Sequence, residues 1–374
     1  MDNLRIQFVT PCIGLMAFEI LRASLWNDKK IKVEISALDP TLPCDGILIS
    51  NKVKFDFDQF KHADKIFFCN ADEPLTVAND QIKFGLETSN AWMICNAFVT
   101  DDHPLVEKVI GRSNDLMITR QFWTNSLFPL WHDNQKNQSI AKSRNFWAIN
   151  GENRSWRHHV FTSLRSVIPD LDFHSVISQV IHETNDSWWE SEQDLYFRYN
   201  VNETYPITRN HSTTYYDNSI KIAITAPTIG LPQECLIPLG YSIMPQYWQS
   251  KCVIFPESSW QNCELNVTEK IAKCFFARCL PFPIGGAKIN QLYKQLGFWT
   301  AWNLLPNEMQ IYDDELDHFK RHNLTVMAIK YLYDHPDLLD SDQAKFMISE
   351  NYVNFLTDKS DLLAVNQLRN IFSI

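Results

Sequence analysis

Short apolar runs alternate with amphipathic stretches through the first third of the chain. LRIQFV (Leu4–Val9), IKVEISAL (Ile31–Leu38), GILIS (Gly46–Ser50), KIFFCN (Lys65–Asn70) and AWMICNAFV (Ala91–Val99) have the length and the β-branched or aromatic content of buried strands. Between the first two, GLMAFEILRASLW (Gly14–Trp26) carries its apolar residues at helical spacing. Near-continuous apolar strands alternating with amphipathic helices predict an α/β fold with a parallel sheet and crossover helices. In such sheets the carboxyl ends of the strands open onto a crevice. Asn70, Asp72, Glu73 and the cluster Asp101, Asp102 and His103 are therefore the polar groups expected to face a ligand in this half.

The stretch WHDNQKNQSIAKS (Trp131–Ser143) is polar and nearly without apolar residues, and it reads as a boundary. A second alternating series follows it. RNFWAIN (Arg144–Asn150), SIKIAIT (Ser219–Thr225) and KCVIFPES (Lys251–Ser258) read as strands. SWRHHVFTSLRSVI (Ser155–Ile168), VTEKIAKCFFARC (Val267–Cys279) and AKINQLYKQLG (Ala287–Gly297) read as helices, with LPFPIG (Leu280–Gly285) a strand or loop between the last two. The final sixty or so residues keep helical spacing, clearest in His318–His335 and Asn366–Phe372. The expected organisation is two Rossmann-like domains facing a cleft, over residues 1–135 and 144–310, with a helical tail over 311–374.

Composition agrees with that size of fold. The chain has 374 residues, 45% of them hydrophobic and 13% aromatic, enough for more than one domain core. The first residues lack the basic start and small-residue cleavage site of a signal peptide, and no run of about 18 apolar residues is long enough to span a bilayer. Nine cysteines, an odd number never in CxxC spacing, read as reduced thiols and not as a zinc site, so a cytoplasmic protein without a metal or a resident cofactor is expected. Ten glycines in all, with no GxxxxGK[ST] and no GxGxxG, exclude the common nucleotide-triphosphate and dinucleotide loops.

The net charge of −10 disfavours a nucleic-acid partner, but the charge is unevenly spread. From Leu105 to Arg165 nine Lys or Arg face four acids, whereas from Ile311 onward eleven acids face six bases. A basic middle in an acidic chain is compatible with an anionic ligand, and equally with a solvated face.

Chemistry concentrates between Glu257 and Thr300. Thr268 stands where a helix N-cap is expected, Glu269 suits the first turn, and the backbone N–H groups there attract anions. A phosphate docked at that end would meet the ammonium of Lys270, and the Glu269 carboxylate would accept from ribose hydroxyls.

In this stretch the chain resembles the fucosyltransferase-like glycosyltransferases. Glu257, then VTEK, an apolar helix, Arg278, Pro281-Phe282, Gly285-Gly286 and Leu296-Gly297-Phe298 follow one another as in the donor-binding region of that group, most like its viral, bacteriophage and marine-bacterial members. Gly286-Ala287 departs from the Gly-Thr or Gly-Ser turn common there. FWAINGENRSWRHHV (Phe146–Val160) is similar to the strand and Arg-rich helix start of the same family, with Arg154 and Arg157 as the matching diphosphate partners.

The resemblance implies a GT-B fold and transfer of a sugar from a nucleoside-diphosphate sugar to an acceptor hydroxyl, with inversion and no metal. Donor contacts are implied for Arg154, Arg157, Glu269 and Lys270, with Gly285 and Gly286 near the sugar or phosphates. A catalytic base must come from the N-terminal half, where Asp72, Asp101 and His103 are open candidates and Glu73, directly after an apolar strand, is preferred. The acceptor is expected to be a glycan or saccharide. Two alternatives stand beside it: DNA carrying a hydroxymethylated pyrimidine, with Trp188, Trp189, Tyr196 and Tyr199 as a stacking surface, and a non-catalytic nucleotide-binding protein. His158 and His159 lack a third metal ligand at a sensible spacing.

Overall fold

The computed structural model describes residues 3–9, 32–50, 56–70, 82, 85–87, 90–95, 97–111, 113, 116, 142–150, 155–171, 173–175, 245–257, 264–357, 359 and 362–372. They belong to two units: Met1–Asn114 with Gln261–Val267 and Asp358–Ile374, and Asp115–Trp260 with Thr268–Thr357. The expected helix at 14–26 and strand at 219–225 lie outside the described residues, as do Trp188, Trp189, Tyr196 and Tyr199.

In the first unit, strands β1 (Asn3–Phe8), β2 (Lys32–Ala37), β3 (Gly46–Ser50), β4 (Ile66–Asn70) and β5 (Ala91–Cys95) form a parallel sheet. With β6 as the short strand Phe98–Val99 and β7 as Val109–Gly111, the six-stranded sheet runs β2-β1-β3-β4-β5-β7. Successive side chains point to opposite faces and both faces are covered, which is why these strands read as continuous apolar runs. Ile66 and Phe68 join one cluster with Ile47, Ile49, Met93, Ile82 and Leu86, while Phe67 and Cys69 join another with Leu4, Ile6, Leu48 and Ile110.

The second face is closed from the far end of the chain. Ala364, Leu368 and Phe372, spaced four apart on the last helix, lie in that cluster, and the Phe372 ring is 5.4 Å from that of Phe67. The same unit takes in β11 (Glu264–Leu265), which pairs antiparallel with β6.

In the second unit, β8 (Arg144–Asn150), β9 (Phe173–Ser175), β10 (Ser250–Pro256) and β12 (Leu280–Ile284) form a four-stranded parallel sheet ordered β12-β10-β8-β9. The stretch expected as a strand or loop is thus an edge strand. Pro281 and Pro283 lie two apart, so their missing N–H groups fall on one side of β12, and an edge strand has a side that needs none.

Helix α1 (Ser155–Val167) follows β8, α2 (Pro245–Gln249) precedes β10, and α3 (Glu269–Phe276) and α4 (Ile289–Gln295) flank β12 in sequence. Of the C-terminal helices, α5 (His318–Asp334) and α6 (Asp342–Leu356) belong to this unit, whereas α7 (Leu362–Phe372) is the helix that covers the first sheet. One core cluster joins Phe146, Ile254 and Phe282 from the sheet to Val160 and Leu164 of α1 and Ile329 and Leu332 of α5. Among the described residues no helix is long and apolar enough to cross a membrane.

Candidate functional site

Taken by position along the chain, the strands of the second sheet lie in the order second, first, third, fourth, so the direction of winding reverses between β8 and β10. In doubly wound sheets the crevice for a ligand opens outside the carboxyl ends of the two strands at that reversal. Here those ends are Asn150 and Pro256, and the residue that follows Pro256 is Glu257.

Glu257 is completely buried. Its backbone N–H donates to the Ile284 carbonyl at 2.8 Å, extending the β10–β12 ladder by one residue, and its carbonyl accepts from Arg157 Nη2 at 2.8 Å. The carboxylate gathers two hydroxyls: Thr268 Oγ1 donates to Oε2 at 2.6 Å, and the Tyr293 hydroxyl of α4 donates to Oε1. Burial pushes this carboxyl up, against the opposing pull of Lys270 and of both hydroxyls. Burial and the facing carboxylate push the Tyr293 phenol well up, so it stays a donor.

The expected N-cap is occupied, though not as a cap. Thr268 has the extended backbone of an N-cap residue (φ −102°, ψ 175°), yet its side chain makes no capping hydrogen bond to α3. Its one hydroxyl proton is committed to Glu257, and its oxygen accepts from Lys270 Nζ at 3.3 Å. The first turn of α3 therefore begins without the side-chain acceptor that usually satisfies an N–H there.

Beside that turn lies a compact group of charges. Glu269 Oε1 is 3.5 Å from Lys270 Nζ and 3.9 Å from Lys273 Nζ. Burial raises the Glu269 carboxyl, but the two ammonium groups and its own backbone N–H more than offset this and hold it below its ordinary value, ionised at neutral pH. Lys270 keeps 14% of its side chain exposed and Glu269 21%, so neither side chain is fully buried.

Gly285 and Gly286 directly follow β12, next to Glu257 through the Ile284 carbonyl, and both are buried. The Gly285 carbonyl accepts from Arg321 Nε of α5 at 3.2 Å. Arg157 is buried, with 1% of its surface exposed, and it ties α1 to the end of β10 through the Glu257 carbonyl. Arg154 and Glu73 lie outside the described residues, as does Asp72, and so do the side chains of Asn70, His158 and His159.

In the first unit, Asp101 and Asp102 are exposed. His103 Nδ1 accepts the Leu105 N–H at 3.1 Å, and Nε2 is 3.7 Å from Glu264 Oε1. Burial holds this imidazole below its ordinary value. With Nδ1 already an acceptor, the neutral ring carries its proton on Nε2 and has no lone pair to offer an acceptor hydroxyl.

The structure brings Glu269, Lys270, Gly285, Gly286 and Arg157 around the end of β10. Sequence reasoning assigned no role to the three residues that organise them. Glu257 was named there only as the first residue of the fucosyltransferase-like motif order. Tyr293 and Arg321 carried no signal: each sits in a helical pattern that reads as ordinary packing or surface charge.

No protein-family model matches the chain, and no curated protein sequence does. Among solved structures the chain is similar to a crystal structure of alpha1,3-fucosyltransferase with GDP-fucose, at 14% identity and a TM-score of 0.44, over 100% of this chain and 92% of that one. It is similar to a glycosyltransferase from Rickettsia africae ESF-5, at 13% identity and a TM-score of 0.45, over 100% and 98% of the two chains. The N-terminal domain of a trehalose-6-phosphate phosphatase from Candida albicans follows at 6% identity and 0.40, over 99% and 96%.

Proposed function

We propose that this chain is a glycosyltransferase that uses a nucleoside-diphosphate sugar. In this reading the diphosphate lies against the first turn of α3, beyond the carboxyl ends of β8 and β10. One observation carries the proposal: the side-chain-uncapped start of α3, with Glu269 and Lys270 in its first turn, is held by Thr268–Glu257 at the reversal of strand order. The fucosyltransferase-like order of motifs from Glu257 to Phe298 supports the same assignment.

Each group then has a chemical task. Lys270 and Arg154 neutralise the diphosphate and stabilise it as it departs, a contribution worth several kcal/mol in preorganised sites, on the order of 3 kcal/mol per donor. Glu269, ionised, accepts from the ribose hydroxyls. Gly285 and Gly286 let the backbone approach the sugar or the phosphates closely. Arg157, occupied by the Glu257 carbonyl, steadies the strand end behind these groups.

The nucleotide is assigned to the half spanning 144–310, and the acceptor, a hydroxyl of a glycan or saccharide, to the half spanning 1–135. Glu73 is proposed as the base that removes the acceptor proton. Transfer is taken as inverting and as needing no metal, since Lys270 and Arg154 supply the positive charge.

Thermal unfolding with UDP, GDP, CDP and ADP tests the donor assignment. A ligand at about 100 times its dissociation constant adds about 2.7 kcal/mol to stability. One nucleoside diphosphate should stabilise the wild type and fail to stabilise Lys270→Ala and Arg154→Ala. If none of the four shifts the wild type at millimolar concentration, the glycosyltransferase reading is lost.

A further inference from the structure

At the other end of α3 the chain closes in a helix-ending motif built around two cysteines. The Cys279 N–H donates to the Cys274 carbonyl at 3.0 Å and the Arg278 N–H to the Phe275 carbonyl at 3.2 Å, with Arg278 in the left-handed region at φ 54°. This nested pair of bonds is the Schellman motif. The next helix ends the same way: Phe298 bonds back to Tyr293, Gly297 to Lys294, and Gly297 has φ 85°. There glycine takes the left-handed position at no steric cost. At the end of α3 an arginine takes it, with its guanidinium 4.2 Å from the Tyr352 ring centroid.

A Schellman motif brings the side chain after the left-handed residue against the side chain five positions earlier, a contact that is ordinarily apolar. In α4 that pair is Tyr293 and Phe298; in α3 it is Cys274 and Cys279. The backbone bond from Cys279 to Cys274 holds the two residues together, the Cys279 thiol lies 3.5 Å from the Cys274 carbonyl, and each thiol acts electrostatically on the other. Both cysteines are buried.

The ammonium of Lys142 stands beside them. Lys142 Nζ donates to the Ala277 carbonyl at 2.8 Å and to the Tyr247 carbonyl at 3.4 Å, and its charge acts on both thiols. Burial alone would push the Cys279 thiol up, but the Cys274 thiol and the Lys142 ammonium outweigh it and hold Cys279 below its ordinary value. Cys274, without that net help, is pushed well up by burial and by its partner. The Lys142 charge thus favours a thiolate within this pair, on the Cys279 side.

We propose that Cys274 and Cys279 form a reversible dithiol–disulfide pair oxidised by hydrogen peroxide, with Lys142 as the positioning cation that favours the Cys279 thiolate. The Cys279 sulfur attacks one peroxide oxygen; an S–O bond forms, the O–O bond breaks, and hydroxide leaves and takes up the proton that the thiol released. The Cys274 sulfur, losing its proton, then attacks the sulfenic sulfur; the S–S bond forms, the S–O bond breaks, and a second water leaves. Two thiols give up two electrons and one peroxide becomes two waters. The bond would lock the C-terminal turn of α3, the helix whose first turn carries Glu269 and Lys270, yet it stands whether or not that turn binds a nucleotide.

The test treats the folded wild type with hydrogen peroxide, blocks the remaining thiols after denaturation, and maps the peptides by mass spectrometry with and without dithiothreitol. A 274–279 disulfide, seen as the loss of two hydrogens and reversed by dithiothreitol, is the expected product. It should persist in Cys252→Ala, whose buried thiol sits nearby on β10. In Cys274→Ala, Cys279 should instead proceed to the sulfinic acid, which dithiothreitol does not reverse. Both thiols still alkylatable in the wild type, a bond to Cys252, or sulfinic acid in the wild type without a disulfide would each overturn the proposal, and the wild-type map decides even if a variant does not fold.

Discussion

The Thr268 hydroxyl donates to the Glu257 carboxylate at 2.6 Å, and from the capping position it makes no side-chain hydrogen bond to α3. Turned toward Glu257, the hydroxyl offers its oxygen to Lys270 Nζ and not to the helix N–H groups, which would need it as an acceptor. The consequence runs from chemistry to geometry. The carboxyl end of β10 and the start of α3 are tied together by side chains, while the helix N–H groups are spared the usual acceptor.

That pairing makes Thr268 a test of the link itself. Thr268→Val keeps the shape and removes the hydroxyl, leaving a completely buried carboxylate one donor short and Lys270 with Glu269 but no longer Thr268 as an acceptor. Stability should fall by about 1–3 kcal/mol, the cost of a buried polar group left unpaired. Thr268→Ser keeps the hydroxyl and loses only a buried methyl, which should cost about 1 kcal/mol or less. Guanidinium unfolding curves compare the two. Equal midpoints for the valine and serine variants would mean that the hydroxyl contributes nothing.

Asp313 supplies a pH-dependent prediction. Its carboxylate accepts the Asn290 N–H at 3.0 Å, Asn290 Nδ2 at 2.9 Å and the Gln291 N–H at 3.1 Å, all at the start of α4. Burial nevertheless outweighs these donors and lifts the carboxyl from 3.8 to about 6. A carboxyl whose folded value is raised adds stability below its unfolded value and loses it as pH rises through the folded value. Between pH 5 and pH 8 the wild type should therefore lose about 1 kcal/mol relative to Asp313→Asn, whose side chain does not titrate. Thermal or urea unfolding of both proteins at the two pH values reads that difference, and parallel pH profiles would refute it.

The strands were legible because a parallel sheet covered on both faces demands unbroken apolar runs, and KIFFCN and KCVIFPES are such runs. Pairings between distant segments were not. The spacing of Ala364, Leu368 and Phe372 marks an amphipathic face, but nothing in those residues names Phe67 and the first sheet as what the face covers. Likewise, Thr268 was legible as an N-cap by position, since backbone conformation is a local matter. The direction of its side chain depended on Glu257, eleven residues earlier, and on Tyr293, and no local rule links the three. Glu257 itself was visible only as the first residue of the fucosyltransferase-like motif order. Its burial, which turns it from a solvated group into an organiser, follows only from the approach of α3 and α4.

Arg321 tests how far the glycine turn depends on support from α5. The guanidinium spans the Gly285 carbonyl at 3.2 Å and the Glu315 carbonyl at 2.8 Å, with His318 Nδ1 at 2.7 Å, and only 2% of the residue is exposed. A lysine keeps the charge but has one compact head in place of a planar fork, so it cannot serve carbonyls on both sides. Arg321→Lys should cost about 2–4 kcal/mol, the sum for one or two buried carbonyls left short of a donor. If Gly285 and Gly286 border the nucleotide as proposed, loosening their turn should also weaken nucleoside diphosphate binding by about tenfold, or ~1.4 kcal/mol, measured by calorimetry well below the melting temperature. A variant that is destabilised but binds with undiminished affinity would keep Arg321 as a support of the fold and remove the glycine turn from the donor site, leaving Lys270 and Glu269 to carry it.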